Sequence, residues 1–170
     1  MNLVPFTSTW IEKDAILAGS IPQLPEHWQL LKDYGVNSIV TLTRRNIFDY
    51  SGFHEWFNAN RWYHRHVPMP DGGLIEDHKI FSAVEWLAMN RRIGYTDYVH
   101  CRGGIGRTGV ILLAYYVLDR EMSLEQAKEI VKVRRNYEGN ASAIDQGSPQ
   151  REWIDALESK RDVFWKWVHP

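Results

Sequence analysis

Apolar positions along the chain fall into short β-like runs separated by longer stretches with helical spacing. Residues 8–11 and 15–18 read as short strands closing on the turn sequence Gly19-Ser20-Ile21-Pro22. Residues 25–34 predict a helix with Trp28, Leu30 and Leu31 on its apolar side, opened by Pro25 and stopped by Gly35. A β-branched strand follows over 36–42, then a short helix over 51–60 and a strand over 61–67. Pro68-Met69-Pro70-Asp71-Gly72-Gly73 must be a loop. Over 76–92, Ile80, Val84, Leu87 and Ala88 recur at i, i+4, i+7 and i+8, the stripe of an amphipathic helix. Residues 97–100 form a strand, and 108–120 are apolar nearly all round, as a central buried helix is. Ser123 and Gln126 form a capping box that opens a helix to about 136, and a last helix begins near Pro149. Strands alternating with helices predict an α/β fold, a central mainly parallel sheet flanked by helices.

Composition narrows the class. The 170 residues carry 20 Lys+Arg against 21 Asp+Glu, a net charge of -1 that argues against a dedicated nucleic-acid binder or an anionic-membrane binder. Eight Trp, eight Tyr and six Phe supply ample core material, so a disordered chain is excluded. One domain over 1–170 is expected, since roughly 100–200 residues per domain is usual. The longest apolar run, 109–118, is about half of the roughly 20 residues a bilayer span needs, and Met1-Asn2-Leu3-Val4-Pro5 has no secretory pattern. A soluble, cytoplasmic protein without a membrane anchor is expected. Cys101 is the only cysteine, which fits a reducing compartment and excludes an internal disulfide or a multi-cysteine metal site.

The neighbours of that cysteine decide what it does. In Val99-His100-Cys101-Arg102-Gly103-Gly104-Ile105-Gly106-Arg107-Thr108-Gly109 a strand ends, a glycine-rich loop follows and a buried helix starts. Such a turn gathers backbone N–H groups and the positive end of a helix dipole into one bowl that suits a phosphate or sulfate dianion. A cysteine at the strand end lies at the floor of the bowl, where those donors and Arg107 stabilise negative charge on its sulfur. The planar fork of Arg107, six positions on, can hold two oxygens of a tetrahedral phosphoryl group. A buried structural cysteine beside an ordinary glycine turn explains Cys101 or the glycines singly, but not the whole set.

The segment His100 to Gly109 resembles the signature loop of the cysteine-dependent protein tyrosine phosphatases, His-Cys-x5-Arg-Ser/Thr-Gly. The resemblance runs from Ile16-Leu17-Ala18-Gly19-Ser20-Ile21-Pro22 to about Leu157, and the short chain is similar to the small dual-specificity branch, compact atypical and archaeal-type members included. It implies that Cys101 attacks phosphorus while Arg107 and the loop 102–106 (Arg102, Gly103, Gly104, Ile105, Gly106) hold the phosphoryl oxygens. By the same resemblance Thr108 supports the departing thiolate and His100 orients the loop. Asp71, 30 residues before the nucleophile, occupies the general-acid loop, with Asp77 as a substitute. Gln146 and Gln150 resemble the water-positioning glutamine loop of the tyrosine-specific relatives, although 136–143 departs from the family's basic-Pro pattern.

No cofactor and no metal is called for, and the expected partner is a phosphorylated protein met by a monomer. Phosphotyrosine is the first substrate candidate, with phosphoserine and phosphothreonine beside it. A phosphoinositide, an RNA 5′-phosphate or a catalytically idle phosphoprotein-binding module are the alternatives. Lipid-specific relatives often carry lysines in the signature loop, where this chain has only Arg102. Arg44 and Arg45 are either pocket-rim bases or a solvated pair. The aromatic ending 163–170 is either core packing against the last helix or a docking segment, with packing favoured.

Overall fold

The computed structural model describes residues 5–73, 76–135 and 149–170. Five strands, β1 (Ser8–Glu12), β2 (Ile16–Gly19), β3 (Ser38–Thr41), β4 (Tyr63–His66) and β5 (Asp97–His100), form one sheet in the order β1-β2-β5-β3-β4. All but β1 run parallel, and β1 closes one edge antiparallel to β2. The helices are α1 (Pro25–Asp33), α2 (Phe53–Ala59), α3 (Asp77–Arg92), α4 (Gly106–Ala114), α5 (Leu124–Arg135), α6 (Pro149–Asp155) and α7 (Arg161–Val168). The predicted α/β architecture with a mainly parallel sheet is the one observed, and among the described residues no helix is long and apolar enough to cross a membrane.

Helices cover the sheet on both faces, so its central strands β2, β3 and β5 are buried throughout, and their apolar residues alternate in which layer they meet. Leu17, Ile39 and Tyr98 share a core with Trp28 and Leu31 of α1 and Phe53 and Phe57 of α2. Ile16, Ala18, Val40 and Val99, one residue out of phase, share the other with Ile80 and Val84 of α3 and Val110 and Ile111 of α4. The predicted stripe of α3 is buried in full. In α1, Trp28 and Leu31 are buried but Leu30 is exposed, because it sits about 200° round the helix from Trp28.

Two features depart from the sequence expectation. The helix read over 108–120 starts at Gly106 and passes at Tyr115–Asp119 into a π-helical turn, where Arg120 N–H donates to the Tyr115 carbonyl at 3.2 Å. Arg161 of α7 donates through Nε to the Val117 carbonyl at 3.0 Å and through Nη2 to the Met122 carbonyl, satisfying one carbonyl of the last turn, which has no partner within the helix, and one just beyond it. The capping box that follows forms as read: Ser123 N–H reaches Gln126 Oε1 at 3.0 Å and Gln126 N–H reaches Ser123 Oγ at 3.2 Å. The aromatic ending divides. Phe164 is buried edge-on to Phe81 of α3, whereas Val163, Trp165 and Trp167 are exposed.

Phe164→Ala should therefore cost about 3 kcal/mol in urea unfolding, whereas Trp165→Ala should change stability by no more than about 0.5 kcal/mol. Equal effects of the two would mean that α7 is held in some other way.

Candidate active site

The parallel strands all end at one edge of the sheet, and the loops leaving β2, β3, β4 and β5 meet there. At that edge Leu42 N–H donates to the His100 carbonyl at 3.0 Å and Val67 N–H to the Thr41 carbonyl at 2.9 Å, fixing the three strand ends side by side. From His100 the chain turns through residues 101–105 and re-enters order as α4, whose N-terminus has no side-chain cap. Its first N–H groups are therefore free for a ligand.

Two outward anchors shape the loop. The His100 ring approaches the Cys101 carbonyl through Nδ1 at 3.3 Å, and Ile21 N–H donates to the Arg102 carbonyl at 3.1 Å. In a planar trans peptide the C=O and the next N–H point opposite ways. Anchoring these carbonyls thus turns the N–H groups of Arg102 and Gly103 away from His100 and Ile21, as an anion-binding bowl requires. Gly104 has φ +75°, and a Cβ there would lie 2.3 Å from the Gly19 carbonyl carbon and 2.7 Å from Ser20 N. Glycine is needed for the dihedral and again for the backbone contact.

A cavity of about 360 Å³ opens above this loop, lined by Cys101 and the loop residues Arg102, Gly103, Ile105, Gly106 and Arg107, with Asp71, Gly72 and Gln150 from other segments. Cys101 is 3% exposed and Arg107 6%, so both are walled in and reached from the cavity. Arg107 donates through Nη1 to the Met69 carbonyl at 3.2 Å, and its Nη2 lies 3.4 Å from Asp71 Oδ1. Its Nε has no partner. Asp71 is exposed, so this ion pair adds little stability but holds the 68–73 loop against the cavity.

The sequence candidates thus separate. Cys101, Arg107, Asp71, Arg102, Gly103, Ile105, Gly106 and Gln150 share the cavity, and Gln150 is buried with its Nε2 unpaired. Gly104 lies behind it against Gly19. The buried Thr108 Oγ1 likewise has no hydrogen-bond partner. Gln146 lies outside the described residues. Asp77 is turned elsewhere, its carboxylate taking Trp153 Nε1 at 2.7 Å and Lys160 Nζ at 3.0 Å. Arg45 pairs with Asp49 and lies over the Tyr50 ring, and neither it nor the exposed Arg44 lines the cavity.

Behind the loop His100 belongs to a polar group whose other members, the buried Thr41 and the partly buried His64, the sequence reading missed. His100 Nε2 is 3.0 Å from Thr41 Oγ1, which is also 3.0 Å from His64 Nε2. Burial pushes His100 down to about 3, against the pull of the Cys101 carbonyl, and burial with His66 nearby pushes His64 down to about 4. The signal in the sequence was polar: Tyr63-His64-Arg65-His66, which becomes the edge strand β4, puts two histidines two residues apart and so on one face of the sheet. At the other end of β5, burial raises Asp97 to about 7, against the hydrogen bonds of Ser38, Asn90 and Trp86.

Against known proteins, residues 5–148 match the family model described as PTP-SAK, the Swiss Army Knife protein DSP-PTPase phosphatase domain. Among curated relatives, dual specificity protein phosphatase 2 of Mus musculus is 29% identical over 44% of this chain and 24% of its own length. Phosphatidylglycerophosphate phosphatase PTPMT2 of Arabidopsis thaliana is 28% identical over 69% of this chain and 50% of its own length. The chain therefore spans about a quarter of the first and half of the second. Among solved structures, Tk-PTP in its active form superposes with a TM-score of 0.72 at 20% identity, over 90% of this chain and 97% of that one, a likeness of fold.

Acidification from pH 6.5 should destabilise the fold, because the unfolded chain takes protons on His64 and His100 that the native state refuses until about 4 and about 3. Asp97 opposes this: the stability from its neutral form is present at low pH and is lost as pH rises from 3.8 to about 7. The two histidines outnumber it, so stability falls toward acid, and Asp97→Asn should steepen that fall by about 1.4 kcal/mol per pH unit in urea titrations. An unchanged slope in the variant would remove Asp97 from the account.

Proposed function

Because the chain belongs to the DSP-PTPase family of cysteine-dependent phosphatases, we propose that it is a monomeric, single-domain protein phosphatase. It hydrolyses phosphotyrosine, with phosphoserine and phosphothreonine as further substrates, through a phosphocysteine intermediate. The observation that carries this reading is the meeting of Cys101, the Arg107 guanidinium, the Asp71 carboxylate and the uncapped start of α4 around one open cavity.

The residues divide the work as follows. The loop amides and Arg107 hold the non-bridging oxygens and the charge that spreads over them in the transition state. The Cys101 thiolate attacks phosphorus, the bond to the leaving oxygen breaks, and Asp71 supplies that oxygen with a proton. In the second half-reaction Asp71 takes a proton from a water that attacks phosphorus. The S–P bond breaks toward sulfur, and the otherwise unpaired Thr108 hydroxyl donates toward the returning thiolate. The free amide of Gln150 orients the water, and Gln146 is its proposed companion. His100 orients the loop through the Cys101 carbonyl. No step calls on a metal or other cofactor.

A second reading keeps the chemistry and changes the substrate to a phosphorylated lipid headgroup. The match to a phosphatidylglycerophosphate phosphatase over 69% of the chain favours it. Arg102 as the one base within residues 102–106 weighs against a polyanionic headgroup. A panel of phosphotyrosine, phosphoserine and phosphothreonine peptides beside phosphatidylglycerophosphate and phosphoinositide vesicles separates the two.

Cys101→Ser should abolish hydrolysis of para-nitrophenyl phosphate in EDTA, and persistence of activity would end the nucleophile assignment. Asp71→Asn should slow turnover of a phenyl phosphate by about 100-fold or more, but that of a nitrophenyl phosphate far less, since a good leaving group needs little protonation. Equal losses on both substrates would take Asp71 out of the acid role.

A further inference from the structure

We propose that Thr41 and His64 are positioning residues for this reaction: the Thr41 hydroxyl bridges two neutral imidazoles and so fixes His100 with its proton on Nδ1, aimed at the carbonyl of Cys101. The proposal rests on the reading of Cys101 as the nucleophile. It concerns residues outside the signature loop, on two different strands.

The assignment follows from donor and acceptor counting. A carbonyl oxygen can only accept, so the 3.3 Å contact with the Cys101 carbonyl requires the hydrogen to be on His100 Nδ1. His100 is neutral in its buried setting, so its Nε2 carries a lone pair. Thr41, 3.0 Å away, must then spend its single hydroxyl hydrogen on that nitrogen. Thr41 Oγ1 has only lone pairs left for the His64 Nε2 at 3.0 Å, so His64 must carry its proton there. Each group donates to the next, from His64 to Thr41 to His100 to the Cys101 carbonyl, and the four dipoles reinforce one another.

The sheet makes the chain of bonds possible. Thr41 pairs in register with His100 of β5 on one side and with His66 of β4 on the other. His64, two residues before His66, points to the same face. Its ring is held by Phe48, edge-on at 4.7 Å, and His66 is fixed in turn by the Thr43 carbonyl at 2.8 Å from its Nε2. The consequence falls on the bowl. With His100 unable to turn its ring or exchange tautomers, the Cys101 carbonyl stays anchored outward and the following N–H stays turned toward the anion site.

Nitrogen-15 imidazole spectra of the full chain, assigned with His64→Gln and His100→Asn, test the proton placement directly. His100 should be protonated on Nδ1 and His64 on Nε2. Thr41→Val should weaken the Nδ1 preference of His100 and lower kcat/KM on para-nitrophenyl phosphate by about tenfold, the worth of one lost neutral hydrogen bond. Thr41→Ser should restore both readouts. His64→Gln, which keeps a side-chain N–H donor, should stay near the parent rate, and His64→Leu should match Thr41→Val. If Thr41→Val does not fold, the serine and the two His64 variants carry the comparison. A parent spectrum with His100 protonated on Nε2, or His64→Leu with unchanged rate and tautomer, overturns the proposal. A correct tautomer pattern in a chain without phosphatase activity would instead sink the functional reading and leave the proton order standing.

Discussion

Two stretches of backbone touch where no side chain could fit between them: Gly104 of the cysteine loop lies against Gly19 and Ser20 at the end of β2. The cysteine loop can curl tightly because it leans on that strand end, and the strand end is in turn fixed from behind. A Cβ on Gly19 would lie 1.9 Å from the Thr7 carbonyl oxygen and 2.5 Å from the Tyr98 hydroxyl, which itself donates to the Ser20 carbonyl at 2.5 Å. Tyr98 belongs to the same strand that delivers His100 and Cys101, so the loop is braced by the strand from which it springs. The N–H groups around the cavity are held by covalent geometry and close contact, without any charged side chain being spent on the task.

Most of this architecture was legible in the sequence, because it rests on local patterns. The stripe of α3, the β-branched run that contains β3, the strand–glycine loop–helix junction at Cys101 and the Ser123/Gln126 cap each depend on residues a few positions apart. What sequence left obscure depends on distant partners. The π turn at Tyr115–Asp119 exists together with Arg161, more than forty residues later, and nothing in an apolar helix announces it. Leu30 was assigned to the buried face on hydrophobicity, although its angular position puts it outside. Among the candidate site residues, the loop set follows from its motif. Gln150 joins the cavity through α6, and Asp77 is drawn off by Lys160 and Trp153, outcomes that only the tertiary packing decides.

The histidines show how a parallel sheet can carry polar chemistry from a central strand to its edge. His64, Thr41 and His100 lie on three neighbouring strands near their C-terminal ends, where burial keeps the imidazoles uncharged and every hydrogen has a fixed direction. Neutral donors of this kind orient a backbone without competing electrostatically for an anionic ligand. A charged residue in the same place would need a counter-ion of its own.

The guanidinium of Arg107 is already occupied in part, by a main-chain carbonyl and by the carboxylate across the cavity mouth. An oxyanion arriving in the cavity would meet one unpartnered N–H, at Nε, and would have to share the Nη2 hydrogens that now face Asp71. An affinity for any anion at this cavity would then be a difference between two sets of contacts, because the 68–73 loop is tied to the same guanidinium through Met69 and Asp71.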